Sequence, residues 1–214
     1  MEGVLRLSLK YDVQYLRRRA LKHLVSTFPQ TFKDWKARDV VRTIPGLENT
    51  PFAALSIARE FDLTWLLPSI LYCISSHPLE KTLDGVQWEN KSLELNWVDK
   101  RTALIGRSKI LLSQSQAAVM LTKVAGIPVE GCTGSNCSST RSRYAEILSG
   151  WAMAGLLDYF EDNDEMYDLD FCLMCRRLFR DHCEAASRSL WEDLPSMFEL
   201  PEWNELERHK LLAD

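Results

Sequence analysis

The sequence contains none of the short patterns that mark common catalytic loops: no G-x-S-x-G, no H-E-x-x-H, no G-x-x-x-x-G-K-[ST] and no G-x-G-x-x-G. Hydrolase, metalloprotease and nucleotide-binding chemistry therefore have no foothold in the linear chain, and no enzymatic activity is expected. Histidine is scarce. His23, His77, His182 and His209 are scattered, and none stands in a readable pattern with a nucleophile and a carboxylate. Long hydrophobic runs are missing too. The longest stretch free of Asp, Glu, Lys and Arg, residues 63–79, is interrupted by Pro68, Ser75, Ser76, His77 and Pro78, which argues against a membrane span. Near Met1, the charged residues Glu2, Arg6 and Lys10 occupy positions where a secretory signal needs an unbroken apolar run. The expectation is an intracellular protein, cytoplasmic or nuclear, with no membrane partner.

What is present suits a folded body. The chain has 214 residues, 46% of them hydrophobic, enough to bury a sizeable core. The net charge of −4 is unevenly spread: residues 1–50 hold ten Lys/Arg against five Asp/Glu, and residues 151–214 hold six against sixteen. A basic front invites nucleic acid as a partner. Arg17, Arg18 and Arg19 are consecutive, however, and so fan around any helix they occupy. A solvated face is the expected outcome. Within residues 158–170 lie seven acids, without the fixed Asp, Asn, Gly and Glu steps of a calcium loop, so they are expected to form a solvated linker.

The chain is organised around a repeat. Leu5 to Leu24, LRLSLKYDVQYLRRRALKHL, is rewritten fifty residues later as Leu55 to Ile74, LSIAREFDLTWLLPSILYCI. Tyr11 corresponds to Phe61, Asp12 to Asp62, Val13 to Leu63, Tyr15 to Trp65 and Leu16 to Leu66. Each copy reads as helix, tight turn, helix, with the Asp expected to cap the second helix. The fold class that follows is mainly all-α, stacked helix-turn-helix units with irregular loops and at most one short strand pair.

Between the copies, Phe28-Pro29 should stop a helix. Residues 30–50 read as a connector with helical potential at Thr31 to Arg38 and a turn at Pro45-Gly46, and Thr50 is expected to cap the helix that Pro51 opens. After Pro78 the chain is irregular, with Ser92 to Trp97 alternating like a short strand. Asp99 is expected to cap a long helix to about Val124, which the apolar positions Ala103, Leu104, Leu111, Leu112, Val119 and Leu121 suit, with Gly106 a weak point. Further helices are expected from about Ser139 to Leu148 and over Ala152 to Phe160. The stretch Cys172 to Leu212 should be helical and broken at Pro195 and Pro201. Leu178, Phe179, Leu190, Trp191, Leu194, Phe198, Leu200 and Trp203 read as its packing stripe.

Six cysteines form the one chemical constellation. In an intracellular chain they point to reduced thiols or metal ligands before disulfides. Cys132-x4-Cys137 lies in a Gly/Ser-rich loop, and Cys172-x2-Cys175 stands at the expected start of a helix. Two such pairs can bring four thiolates to one tetrahedral Zn²⁺, so Cys132, Cys137, Cys172 and Cys175 are the candidate metal ligands and zinc the candidate cofactor. The alternative is that they are small buried hydrophobes. His182 and Cys183 could replace one ligand only if their helix bends toward the loop. A redox role for Cys172-Leu-Met-Cys175 lacks the βαβ context it needs. Cys73 is expected in the core.

Five blocks, LRLSLKYDVQYLRRRALKHL, NTPFAALSIAREFDLTWLLPSILYCISSHP, DGVQWENKSLELNWVDKRTALIGRSKILL, SGWAMAGLLDYFEDND and LWEDLPSMFELPEW, resemble fungal BTB/POZ domain-containing proteins in the region that follows the BTB fold. The resemblance spans nearly the whole chain. It implies residues 1–28 as the closing helices of a BTB-like domain whose core is absent, 29–157 as a helical extension, 158–170 as an acidic linker and 171–214 as a helical segment packing back on the body. It also implies an adaptor that binds protein partners, in some members a cullin-type ubiquitin-ligase scaffold. The sheet and main dimer surface of a BTB domain have no counterpart here, so no family contact residue carries over. A zinc-stabilised regulatory or nucleic-acid-associated protein is the alternative reading.

Overall fold

Two helices, one from each copy of the repeat, end in the same way. Helix α1 (Glu2–Lys10) is followed by Asp12 at φ 50°, and its counterpart, Thr50–Glu60, by Asp62 at φ 52°. The next amide reaches back five residues in both copies: Val13 N–H donates to Ser8 O at 2.8 Å, and Leu63 N–H to Ala58 O at 2.8 Å. This is a left-handed closure of the Schellman kind, and Asp is among the few non-glycine residues that tolerate it. The expectation that Asp12 and Asp62 cap the following helices is therefore corrected. Val13 and Leu63 hold those positions without a side-chain cap bond. The aspartates end one helix instead of starting the next.

The computed structural model describes residues 2–44, 48–125, 129–149, 157 and 171–213. The expected turn at Pro45-Gly46, most of the expected helix over Ala152 to Phe160, and the acidic stretch 158–170 lie outside the described residues. In chain order, α2 (Gln14–Thr27) follows the first turn and α3 (Phe32–Val41) follows Pro29. Thr31 caps α3, accepting from the Asp34 amide at 3.1 Å. Helix α4 (Thr50–Glu60) then leads through a 3-10 turn, Thr64–Leu66, into α5 (Leu67–Ser75), with Pro68 in the first turn where its missing N–H costs nothing. Thr50 is not the cap of α4. Asn49 stands there, and its side chain instead donates to Gln87 O at 2.9 Å and accepts from Lys81 Nζ at 3.0 Å.

Helix α6 (Leu79–Asp84) ends at Gly85, where φ is 86° and a Cβ would lie 2.6 Å from Leu93 O. Strand β1 (Val86–Trp88) pairs antiparallel with β2 (Lys91–Leu93), Val86 opposite Leu93 and Trp88 opposite Lys91. Pairing stops at Leu93, earlier than the Ser92 to Trp97 strand expected, because Asn96 is needed to start α7 (Trp97–Ala125). Its side chain accepts from the Asp99 amide at 2.9 Å and donates to the Asp99 carboxylate at 2.7 Å, so Asn96 is the cap and Asp99 its reciprocal partner. Further helices are α8 (Cys137–Ser149), α9 (Leu173–Met197) and α10 (Trp203–Ala213). Pro195 does not break α9. It sits in the last turn, and Glu199 at φ 57° lets the Leu200 amide close back on Pro195 O at 3.0 Å.

The chain is mainly all-α, with the two-stranded hairpin the one sheet among the described residues. It divides into two compact units, Met1–Gly106 with Leu194–Asp214, and Arg107–Asp193. In the first, Trp35, Trp65, Leu66, Ile70, Leu71, Tyr72 and Ile74 are at most 1% exposed. Trp35 meets Tyr72 edge to face at 5.2 Å, and the Arg38 guanidinium lies 3.4 Å from the Trp35 ring centre. Helix α10 packs on the 3-10 turn of the second copy. Gly106 is a close-packing point: a Cβ there would lie 2.0 Å from Phe198.

In the second unit, the buried stripe of α7 is Ile110, Gln114 and Ala118. Leu112 and Val119, two of its apolar positions, are 61% and 50% exposed, because the four-residue spacing from Gly106 onward turns them outward. On α9 the buried residues Cys175, Phe179, Cys183 and Ser187 recur every fourth position. Among the described residues no helix is long and apolar enough to cross a membrane.

Candidate metal centre

Two local structures bring the cysteines together. The first is the tight loop from Gly131 to Asn136. Gly131 adopts φ 74°, and Gly134 passes so near the Cys137 sulfur that a Cβ would lie 2.5 Å from it. Glycine is required at both places, for conformation at one and for space at the other. Cys132 sits inside this loop and Cys137 begins α8. The second is the start of α9, where Cys172 precedes the first helical residue and accepts the Arg176 amide through its carbonyl at 3.0 Å. Cys175 follows one turn later on the buried face.

The four sulfurs all lie within 4.8 Å of one another. Cys132 Sγ is 3.4 Å from Cys175 Sγ and 3.8 Å from Cys172 Sγ, and all six cysteines of the chain are free thiols. Ligands about 2.3 Å from a tetrahedral ion stand roughly 3.8 Å apart, so the spacing suits a single ion at the centre. The structure thus brings all four expected ligands to one place, where they could hold a metal ion. Cys137 and Cys175 are buried; Cys132 and Cys172 are partly exposed. Phe171 and Val129 close the apolar side, and Phe171 stacks on Phe179 at 5.7 Å.

The electrostatics of the bare cluster are asymmetric. The amides of Cys175 and Thr133 donate to the Cys172 sulfur and hold its thiol down at about 5. Burial pushes Cys175 up to about 12, with the neighbouring sulfurs adding to it, and raises Cys137 as well. Without a cation, one proton leaves readily and the buried pair keep theirs. A bound dication reverses this by ionising every ligand thiol.

His182 and Cys183 do not join the cluster. His182 Nδ1 contacts Leu178 O at 2.8 Å, and Cys183 is fully buried further along α9. Cys73 is half-buried beside Arg38 rather than in the core. Arg141 was not singled out from the sequence, yet it is 3% exposed and its Nη1 donates to Cys175 Sγ at 3.1 Å. Its position four residues after Cys137 is the signal that could have found it. No protein-family model matches the chain, and searches of curated proteins and of solved structures return no significant match.

Proposed function

We propose that this chain is a non-catalytic protein-interaction module, an adaptor of the BTB-associated helical kind, with zinc on its four cysteines shaping the second unit. The observation that carries the first part is a set of exposed apolar side chains on the first helical pair. Val4, Leu7 and Tyr11 recur at helical spacing and are 41%, 53% and 63% exposed, and Tyr15 and Leu16 on the next helix are 67% and 38% exposed. A set of this kind marks an interaction site. Its proposed occupant is a BTB core, the domain whose closing helices this pair resembles.

The test uses the full chain and a separately expressed BTB core from a fungal BTB/POZ protein, mixed and followed by sedimentation velocity. A one-to-one complex is expected, lost in the double variant Leu7→Asp/Tyr15→Asp with its helical circular dichroism unchanged. Absence of a wild-type complex, or its survival in the double variant, overturns the reading.

Zinc is the cation this donor set favours. Four thiolates are soft ligands, and filling all four tetrahedral positions from the protein leaves none for substrate, the mark of a structural site. Metal analysis of protein purified under reducing conditions should give about one zinc per chain. Metal-free protein with an unchanged thermal midpoint would sink this part.

A further inference from the structure

Arg141 stands one helical turn after Cys137 on α8, so it shares that residue's face, and helical side chains lean toward the N-terminus of their helix. The guanidinium is thereby carried back to the sulfurs. Its Nη1 reaches Cys175 Sγ at 3.1 Å, and both residues are buried, Arg141 at 3% exposure and Cys175 at 0%. A thiol accepts hydrogen bonds poorly and a thiolate accepts them well, so a buried permanent cation on this sulfur favours its ionised form.

Four thiolates around one dication leave two negative charges packed against Phe171 and Val129, where uncompensated charge is costly. Backbone N–H groups offset part of it, the Cys172 amide donating to Cys137 Sγ at 3.3 Å. Only a formal positive charge changes the total, and Arg keeps its charge at every physiological pH. We infer that Arg141 is the charge-balancing outer-sphere residue of the metal centre, setting how tightly the four-cysteine site holds its ion. The inference rests on the metal reading above and deepens it, since it names a positioning residue that is not a ligand.

The experiment is titration of the full chain with Co²⁺ and Zn²⁺ under reducing conditions, with chelator competition for affinity and sulfur-to-cobalt charge-transfer absorption for coordination. Wild-type protein should show a four-thiolate cobalt spectrum; its absence overturns the metal reading and this inference with it. If the spectrum is present, Arg141→Met should bind zinc 10- to 100-fold more weakly, the range for loss of an outer-shell partner. It should also release metal at a higher pH while keeping the four-thiolate spectrum. Arg141→Lys keeps the charge and should recover most of the affinity. Wild-type affinity in Arg141→Met overturns the inference alone, as does an Arg141→Lys no better than Arg141→Met.

Discussion

The two copies of the repeat share a backbone and differ in what covers them. Leu5 and Leu55 are both buried, at 2% and 1% exposure, and so are Leu24 and Ile74, at 2% and 0%. Around the turn the copies part. Val13, Tyr15 and Leu16 are 38%, 67% and 38% exposed, whereas Leu63, Trp65 and Leu66 are 1%, 1% and 0%. Helix α10 packs on the second turn, and nothing among the described residues covers the first in the same way. A duplicated pattern thus specifies the bend of the chain without specifying burial, which depends on what arrives from elsewhere in the sequence. The Arg6–Glu60 pair, with contacts of 2.6 and 2.9 Å, ties the first helix of one copy to that of the other, but it is exposed and adds little.

The sharpest break in the comparison is truncation at the matched aromatic position. Trp65→Ala should cost about 3–5 kcal/mol by chemical denaturation, the range for removing a buried aromatic. Tyr15→Ala should stay within about 0.5 kcal/mol of wild type, as exposed positions do. Equal losses at the two sites would mean that the first copy is covered in solution. Next in size is Gly106→Ala. The added methyl meets the Phe198 ring just ahead of α10, and overpacking of this kind costs about 1–3 kcal/mol. A thermal midpoint unchanged by that substitution would show that Phe198 has room to move.

A smaller effect sharpens the likeness between the copies. Asp12→Gly and Asp62→Gly each relieve a left-handed residue, and each should stabilise by up to about 1 kcal/mol. The two gains should agree, because the closing bonds are both 2.8 Å; a gain at one site only would mean that the turns are not equivalent. The smallest effect is in pH. His77, after the last helix of the second copy, has its pKa lowered by burial, reinforced by Lys81. Above the ordinary imidazole value of about 6.5 both folded and unfolded forms are neutral, and His77 adds no pH dependence. Below it the unfolded chain takes up the proton first, so stability falls as the medium is acidified. His77→Gln should flatten thermal midpoints between pH 7 and 5; an unchanged slope would assign the loss to other groups.

Much of this was legible in the residues. Helical periodicity and the Asp12 and Asp62 turns announced the repeat, and two short cysteine spacings announced four sulfurs that do lie together. Local caps were read less well. Asn49 and Asn96, not Thr50 and Asp99, precede their helices, since a cap depends on one dihedral angle and on which neighbour takes up the side chain. The one strand pair that the fold class allowed for is present, but its strands are Val86–Trp88 and Lys91–Leu93, earlier than Ser92 to Trp97, because three-residue strands carry too few alternations to fix their position. On α7 the apolar count includes Leu112 and Val119, while the buried line runs through Gln114. Composition cannot choose between two faces that each carry apolar residues.

By itself the sequence determined the helical class, the position of the two left-handed turns and the identity of the clustered cysteines. These follow from local backbone preference and from side-chain chemistry, which act over a few residues. Tertiary structure alone decided that Trp65 is core while Tyr15 faces out, that Pro195 stays within a helix, and that Arg141 reaches Cys175. Each depends on surfaces brought together from distant parts of the chain, and burial, unlike helix formation, is a property of what lies on the other side.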